Sequence, residues 1–382
     1  MSRPWDLIVF GATGFTGTLV ANYLKEYAPD DLSWAVAGRS QEKLDALAGR
    51  LSVPTVQANI ADLESLQRMV ASTRVLLTTV GPYSLYGRDV LEACVEAGTH
   101  YTDLTGENHF VRDMKAQWDE RARETGAIIV PCCGFEAIPT DLGVQAVVNK
   151  LPAGPKRVVG MLQSHAQLSG GTLASALDMM GNPRPAKKPR SAGSRPSGPR
   201  RPLLKYDRTV RRWTVSFPVI DPAVIARSAR ALPESYGDAF GYDHRLCIPG
   251  IVRGVGMGLG LAAGAGVAKF SAGRKAIQKL RPQGTGPDQA TRDASWFRYT
   301  FVGHSGDTRV QLRVAGGDPG YSETAKFIAE ASLQLAAMAP DEQPTGGFHT
   351  PASALGPALL DRLQAQGLTV EWTEDTPAED GA

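Results

Sequence analysis

In the first third of the chain, short apolar runs typical of buried strands alternate with longer stretches that have the apolar spacing of helices. Short apolar, β-branched runs are each followed by a longer stretch whose apolar positions recur at helical spacing. Such runs include DLIVF (6–10), RVLLTTV (74–80) and AIIVP (127–131). Strand and helix alternate over about 135 residues, which is typical of parallel strands with helices on both faces. The pattern predicts an α/β fold with a Rossmann-type doubly wound parallel sheet.

The second half of the chain has a different pattern, with partial alternation of period two. Runs of this kind predict strands at 157–166, 211–220, 296–305 and 308–317. Amphipathic stretches predict helices at 322–338 and 357–367, and LTVEW (368–372) predicts a last strand. We therefore expect a second, α+β domain with a mostly antiparallel sheet. The expected division is a nucleotide-binding domain over 1–140, a substrate or partner domain over 141–320, and C-terminal helices over 321–382.

Length and composition agree with a globular protein of the cell interior. The 382 residues suffice for two or so domains with a large core, and the net charge is only +2. The four cysteines show no CxxC spacing and the six histidines no HExxH motif, so no metal site is expected. Cys132 and Cys133 are interpreted as small buried residues, not a redox pair. Because the first strand begins almost at once, no signal peptide is expected, and the location is interpreted as cytoplasmic.

Two segments interrupt the order of strands and helices. Residues 184–212 carry eleven Lys or Arg and one Asp, and the remaining residues have a net charge of −8. This segment is interpreted either as a solvated linker or as a contact for an anionic surface, an acidic carrier protein or a membrane. Nucleic acid is not expected, because aromatic residues are not interleaved with the charges. Residues 254–268 are uncharged but shorter than a bilayer span, which favours burial against the substrate cleft or a partner, with contact with a membrane surface as the alternative.

A glycine turn follows the first strand directly. Gly11, Gly14 and Gly17 in GATGFTG (11–17) lie between an apolar run and a helical pattern. A strand, a tight glycine turn and a helix N-terminus form a phosphate-binding site for a dinucleotide. The turn lacks the Gly-Lys-Ser/Thr ending of a mononucleotide-binding loop. The predicted contacts of this turn are Gly11, Ala12, Thr13, Gly14, Phe15, Thr16 and Gly17.

The ends of the next strands specify the cofactor further. An NAD-selective site places Asp or Glu at the end of the second strand, whereas this chain has Arg39 followed by Ser40. An arginine fork matches a 2′-phosphate better than a ribose diol, so NADPH is the expected cofactor. Asn59 is expected beside the adenine. The nicotinamide is expected at the end of the fourth strand, beside Val80, Gly81, Pro82 and Tyr83.

These motifs together resemble a known family. GATGFTG, AGRS (37–40), VGPYSLYG (80–87), EACVEAGTHYTDLTGE (92–107) and GFEAIPTDLG (134–143) resemble the NADP-binding half of saccharopine dehydrogenase-like oxidoreductases. The later stretches 168–177, 318–336 and 346–363 resemble the trans-acting enoyl reductase branch, which acts in lipid and polyketide assembly. Many relatives have an aspartate where this chain has Asn59. The family's C-terminal portion is expected to pack back on the nucleotide domain.

The resemblance implies an NADPH-dependent reductase of an unsaturated acyl thioester, held by a carrier protein or a polyketide synthase. Oligomerisation and peripheral membrane contact stay open. A short-chain dehydrogenase mechanism is excluded, because no lysine here follows a tyrosine by four residues. Tyr83 is the first candidate for the proton donor, and Tyr101 and Glu107 are weaker ones. The alternatives are an amino-acid dehydrogenase of the saccharopine type and a non-catalytic, membrane-associated NADP-binding scaffold.

Overall fold

The computed structural model describes residues 3–166, 202–216, 219–248, 250 and 286–373. Three segments discussed above lie outside these ranges: 168–177, 254–268 and the first part of the basic segment, 184–201.

The first sheet is built from seven parallel strands in the order β13-β6-β5-β4-β1-β2-β3. Their bounds are β1 Trp5–Phe10, β2 Trp34–Gly38, β3 Thr55–Gln57, β4 Thr73–Thr78, β5 His100–Asp103, β6 Ile128–Val130 and β13 Gly347–Phe348. The order reverses on the two sides of β1, so the predicted Rossmann-type doubly wound sheet is confirmed. The seventh strand comes from the C-terminal part of the chain and was not predicted.

Helices on both faces connect the strands of this sheet. They are α1 Phe15–Tyr27, α2 Gln41–Leu51, α3 Leu63–Ala71, α4 Tyr83–Ala97 and α5 Asn108–Thr125. Side-chain caps start two of them. The Ser40 hydroxyl accepts from the Lys43 N–H at α2, and the Asp62 carboxylate accepts from the Ser65 N–H at α3. Because these caps start α2 and α3 soon after β2 and β3 end, the two connecting loops are short and lie at the carboxyl edge of the sheet.

The second sheet also has seven strands, in the order β14-β12-β11-β7-β10-β9-β8. Their bounds are β7 Lys156–His165, β8 Leu204–Asp207, β9 Arg212–Ser216, β10 Phe240–Ile248, β11 Trp296–Ser305, β12 Thr308–Gly316 and β14 Thr369–Thr373. The β7–β10 pair is parallel and the other pairs are antiparallel. The predicted second α+β unit with a mostly antiparallel sheet is therefore confirmed.

The remaining helices join the two sheets. They are α6 Ile138–Lys150, α7 Asp221–Ala231, α8 Pro233–Tyr236, α9 Gln289–Asp293, α10 Ser322–Ala337, α11 Pro351–Ala354 and α12 Gly356–Ala365. Helix α6 packs closely on the second sheet, because a Cβ on Gly143 would lie 2.5 Å from the Phe301 ring. Helix α10 packs on α1, β4 and β5 of the first sheet.

The last part of the chain contributes to both sheets. Helix α10 is bound to the first sheet by a hydrogen bond of 2.7 Å between the Ser332 and Thr102 hydroxyls. Strand β14 pairs with β12 of the second sheet. Residues 321–373 therefore pack on the nucleotide-binding half, as expected, and also add a strand to the second sheet. We keep the division into 1–140, 141–320 and 321–382 as a proposal.

Candidate functional site: the carboxyl edge of the first sheet

The glycine turn between β1 and α1 leaves no room for side chains at two of its glycines. Gly11 has a φ of +86°, and a Cβ there would lie 2.8 Å from both the Thr79 hydroxyl and a Val80 methyl. A Cβ on Gly17 would collide with the Gly11 carbonyl oxygen. The turn can therefore bring backbone against a ligand only because these residues are glycines.

The N-terminus of α1 is free to accept an anion. Gly14 is the N-cap and supplies no side-chain hydrogen bond, and the first turn contains no acidic residue. The first N–H groups of any helix lack carbonyl partners inside that helix, and the helix dipole is positive there. Thr13, Phe15 and Thr16 are partly exposed beside this end, whereas Ala12 is buried and its carbonyl accepts the Thr18 hydroxyl at 3.0 Å.

The second half of the chain reaches this turn. The Phe15 ring packs edge-on against Tyr321 with centroids 4.9 Å apart, and the Arg292 guanidinium lies 5.6 Å from the Phe15 ring centroid. Arg292 Nε is buried and has no hydrogen-bond partner among the described residues. The sequence pattern did not single out Arg292, because it lies in the short helix α9, far along the chain. The fold thus places a cation beside the Phe15 ring of the glycine turn.

The ends of β2 and β3 carry the residues predicted to bind the adenosine part. Arg39 follows β2, is exposed, and its side chain forms no ion pair or hydrogen bond within the described ranges. Ser40 is instead the cap of α2. Asn59 is exposed two residues beyond the end of β3, and its side-chain oxygen accepts the Ala61 N–H at 3.1 Å. Arg39 is therefore an exposed cation at this end of the sheet edge, with no side-chain partner among the described residues.

The segment after β4 turns sharply into α4. Val80 contacts the glycine turn, Gly81 and Pro82 are joined by a cis peptide bond, and Tyr83 begins the helix. Tyr83 is only 5% exposed. Its hydroxyl donates to the Thr78 carbonyl and accepts the Leu104 N–H, each at 3.0 Å. The phenol thus connects the ends of β4 and β5 and does not project into an open cleft.

Tyr101 and Glu107 are fully buried, like Tyr83, and each has a partner. The Tyr101 hydroxyl donates to Asp103 at 2.8 Å. The Glu107 carboxylate accepts the N–H groups of Tyr83 and Ser84 at 3.0 and 2.9 Å, so it caps α4. Burial raises the pKa values of both tyrosines well above their usual range. The structure brings all three predicted candidates to the ends of β4 and β5 and gives each a role in holding the backbone there.

The loop between β6 and α6, residues 131–137, holds a group that was not predicted. We call it the junction loop. Glu136 is partly exposed, and its Oε1 accepts the Gly134 N–H at 3.1 Å. Burial of the carboxyl, together with the neighbouring acids Asp103 and Asp221, raises the pKa of Glu136 to about 8. The motif GFEAIPTDLG was recognised in the sequence, but nothing in it marked Glu136 as unusual, because the neighbouring acids come from β5 and α7.

The two cysteines of the junction loop are buried free thiols. The Cys133 thiol donates to the Val130 carbonyl at 3.1 Å, and the pKa values of both thiols are raised by burial. Their interpretation as small buried residues agrees with this placement.

Comparison with known proteins identifies the class of cofactor. Residues 7–130 match the family model of the saccharopine dehydrogenase NADP-binding domain. A protein of Mycobacterium tuberculosis, provisionally named a trans-acting enoyl reductase, is 33% identical over 97% of this chain and 98% of its own. The chain belongs to the saccharopine dehydrogenase-like oxidoreductases. Other members include a trans-acting enoyl reductase of Mycobacterium ulcerans, 30% identical over 97% of this chain and 98% of its own length, and the human saccharopine dehydrogenase-like oxidoreductase, 30% identical over 96% of each chain.

Solved structures support the fold of this oxidoreductase. The L-Glu-forming saccharopine dehydrogenase of Saccharomyces cerevisiae superposes with a TM-score of 0.56 over 96% of this chain and 99% of that chain. The two sequences are 13% identical, so the likeness concerns the fold. Within the described ranges, no helix is both long and apolar enough to cross a bilayer.

The site fits the NADPH that this family binds. The glycine turn provides close backbone approach and free N–H groups for the pyrophosphate. Arg39, exposed and without a side-chain partner among the described residues, would hold the 2′-phosphate, about where an NAD-binding protein carries an acid. The protein is therefore an NADP-dependent oxidoreductase by family and by geometry.

Proposed function

We propose that this oxidoreductase is a trans-acting enoyl reductase that reduces the conjugated double bond of an acyl thioester in lipid or polyketide assembly. The observation that carries the proposal is the chemistry between the junction loop and the second sheet. The Phe135 ring lies 4.8 Å from Phe297 and 5.9 Å from Tyr299, measured between centroids. Aromatic rings and acids meet there, which favours a substrate without negative charge.

The same surroundings are unsuited to a substrate of the saccharopine type. Such an amino acid carries several carboxylates and requires converging cations. Near Glu136 the structure instead places the acids Asp103 and Asp221. Arg227 lies close enough to affect Asp141 and Cys132, but its guanidinium already donates to the Asn108 side chain at 3.2 Å. The mycobacterial relatives named trans-acting enoyl reductases agree with the proposal.

NADPH, when bound, supplies a hydride to the β-carbon of the double bond. The chain has to bind the cofactor, hold the thioester beside the end of β4, stabilise negative charge on its oxygen and deliver one proton to the α-carbon. Tyr83, Tyr101 and Glu107 stay candidates for the proton donor. Each is buried and hydrogen-bonded within the protein, so Tyr83 and Glu107 would have to leave backbone partners, and Tyr101 the Asp103 carboxylate, to reach a substrate.

The thioester would arrive on a larger partner. We propose an acidic carrier protein or carrier domain as that partner, because the basic segment 184–212 offers the complementary charge. Its described part, from residue 202 on, exposes Lys205, Arg208, Arg211 and Arg212. An anionic membrane surface is the alternative contact. Contact with either would be consistent with a protein that works in the cytoplasm or at the membrane periphery.

The experiment compares NADPH oxidation with three kinds of substrate. These are enoyl thioesters on coenzyme A, the same enoyl groups on an acyl carrier protein, and glutamate plus aminoadipate semialdehyde. Saccharopine, the reduced product of that last pair, is tested in the reverse direction with NADP+ in place of NADPH. Turnover of an enoyl thioester supports the proposal. Turnover of the amino-acid substrates alone would replace it with the saccharopine-type reaction. NADPH binding without turnover of any of them would leave the scaffold alternative.

A further inference from the structure

The junction loop places one carboxyl group between the two halves of the molecule. Strand β6 lies beside β5, and β5 beside β4, so the loop after β6 is on the nicotinamide half of the sheet edge. Its Phe135 ring contacts Phe297 and Tyr299 of β11 in the second sheet. Glu136 follows Phe135 and is partly exposed. The carboxyl therefore lies at the boundary of the two sheets, on the side of the first sheet's carboxyl edge where the nicotinamide is expected.

Backbone N–H groups fix the position of the Glu136 carboxyl, but they do not supply a positive charge to balance it. The N–H groups of Gly134 and of Glu136 itself bond to it. A Cβ on Gly134 would clash with the carboxyl group, so the glycine allows it to fold back over the loop. Glu136 forms no ion pair in the part of the chain that the structure describes. A carboxyl group surrounded by protein and without a counter-ion favours its neutral form.

The surroundings of Asp103 and Glu136 give these two neighbouring carboxyls different pKa values. Asp103 accepts hydrogen bonds from the Thr105 and Cys132 N–H groups and from the Tyr101 hydroxyl, and burial raises its pKa only to about 6. Glu136 has fewer such bonds, and its pKa is about 8. Glu136 therefore keeps its proton to a higher pH than Asp103 does. The other titratable groups that interact with Glu136 are Tyr83, Cys132, Cys133, Asp221 and Tyr299.

Proteins keep one carboxyl protonated at neutral pH by placing it near a second carboxyl that has a lower pKa. We propose that Glu136 is the proton donor of the reductase reaction, a role that rests on the function proposed above. NADPH, when bound, would supply the hydride for the new C–H bond at the β-carbon and leave as NADP+, while the π electrons of the double bond would move to the α-carbon and the thioester oxygen. The Glu136 carboxyl gives its proton to the α-carbon. The product is the saturated thioester, and solvent reprotonates the Glu136 carboxylate.

The test uses Glu136→Gln in the full-length protein, with Glu136→Asp as the conservative variant and Glu64→Gln, exposed on α3, as the matched control. Glutamine keeps the size and the hydrogen-bond acceptor but cannot donate an acidic proton. We expect kcat with an enoyl thioester to fall about 10²- to 10⁴-fold. The dissociation constant for NADPH should stay within about twofold, because the carboxyl does not hold the cofactor. Glu136→Asp should recover part of kcat, and Glu64→Gln should resemble the wild type.

The pH dependence separates a proton donor from a structural acid. A donor must be protonated, so wild-type kcat should be highest below the pKa of Glu136 and decline as pH rises through about 8. In Glu136→Gln this alkaline decline should disappear. If the wild type reduces enoyl thioesters and Glu136→Gln does so equally well, with the same alkaline decline, Glu136 is not the proton donor. The enoyl reductase function would still stand in that case. A wild type that reduces no enoyl thioester would overturn the function itself.

A second readout needs no turnover. The infrared difference spectrum between wild type and Glu136→Gln should show the C=O band of a protonated carboxyl at pH 7 that is lost as pH rises through about 8. A Glu136 carboxyl found ionised at pH 7 would overturn the proposal even if the variant is inactive.

Discussion

The choice between the two nicotinamide cofactors depends on one side chain at the end of β2. Arg39 is exposed and unpaired within the described ranges, so it is available for a 2′-phosphate. We expect Arg39→Asp to weaken NADPH binding by about 1.5–3 kcal/mol, the value of a lost charge-assisted hydrogen bond, and to change NADH binding little. Fluorescence titration of both cofactors measures this. Arg68→Asp, exposed on α3, is the control, and equal losses for the two cofactors would contradict the assignment.

Substitution of Tyr83 can show whether its hydroxyl has a structural or a catalytic role. Tyr83→Phe removes the hydroxyl that donates to Thr78 and accepts from Leu104. We expect the free energy of unfolding to decrease by about 1–3 kcal/mol, because two buried backbone groups lose a partner. If Glu136 is the donor, kcat per folded molecule should stay within a few fold. A loss of 10²-fold or more in kcat with little change in stability would instead favour the tyrosine.

At the scale of elements, α10 is held on the nucleotide-binding half by a buried carboxylate. Glu330 accepts the Tyr23 hydroxyl of α1 at 2.7 Å and both Nε and an Nη of Arg362 in α12 at 3.0 and 2.7 Å. Its side chain is 2% exposed, whereas that of Arg362 is 38% exposed, so water compensates part of the loss when the pair is broken.

Denaturant unfolding can measure the contribution of this contact. We expect Glu330→Gln to lower the free energy of unfolding by about 1–3 kcal/mol, because it leaves the arginine without its charge partner. The exposed pair Arg313–Glu371, on β12 and β14, provides the matched control. Arg313→Gln should change stability by less than about 0.5 kcal/mol. Equal effects at the two sites would mean that burial does not strengthen the Glu330 contact.

The elements themselves show which parts of the fold the sequence could predict. Local periodicity and the turn at Gly11, Gly14 and Gly17 predicted the strands and helices of the first sheet, because each depends on neighbouring residues. Strand β13 has two residues, too few to form a pattern, and it exists only because the chain returns to pair with β6. Glu136 escaped prediction for a related reason, since its pKa is raised by burial in the folded chain and by acids that come from β5 and α7.

At the scale of the whole molecule, several buried acids should make stability depend on pH. Burial raises the pKa values of Asp103 and Asp141 to about 6 and of Glu136 to about 8. A carboxyl whose pKa is higher in the folded state stabilises the protein fully below its unfolded pKa of about 4, and that contribution is lost as pH rises through the folded pKa. We expect the thermal unfolding midpoint to decrease between pH 5 and pH 9. In Glu136→Gln the part of this decrease that extends to pH 8 should be absent, and a midpoint that rises over this range would contradict the assigned ionisation.

The distribution of charge over the whole chain leads to a prediction about the partner. Eleven basic residues lie in 184–212, and the rest of the chain is net negative. We expect deletion of residues 184–201 to leave folding and NADPH binding intact but to weaken association with an acidic acyl carrier protein, or with anionic vesicles. Association of the intact chain should decline steeply with salt, because exposed charges are screened. A full-length variant with the seven Lys and Arg residues of 184–201 changed to Ser separates charge from length. If it binds like the deletion, charge is responsible, and if both bind like the wild type, the segment is a linker.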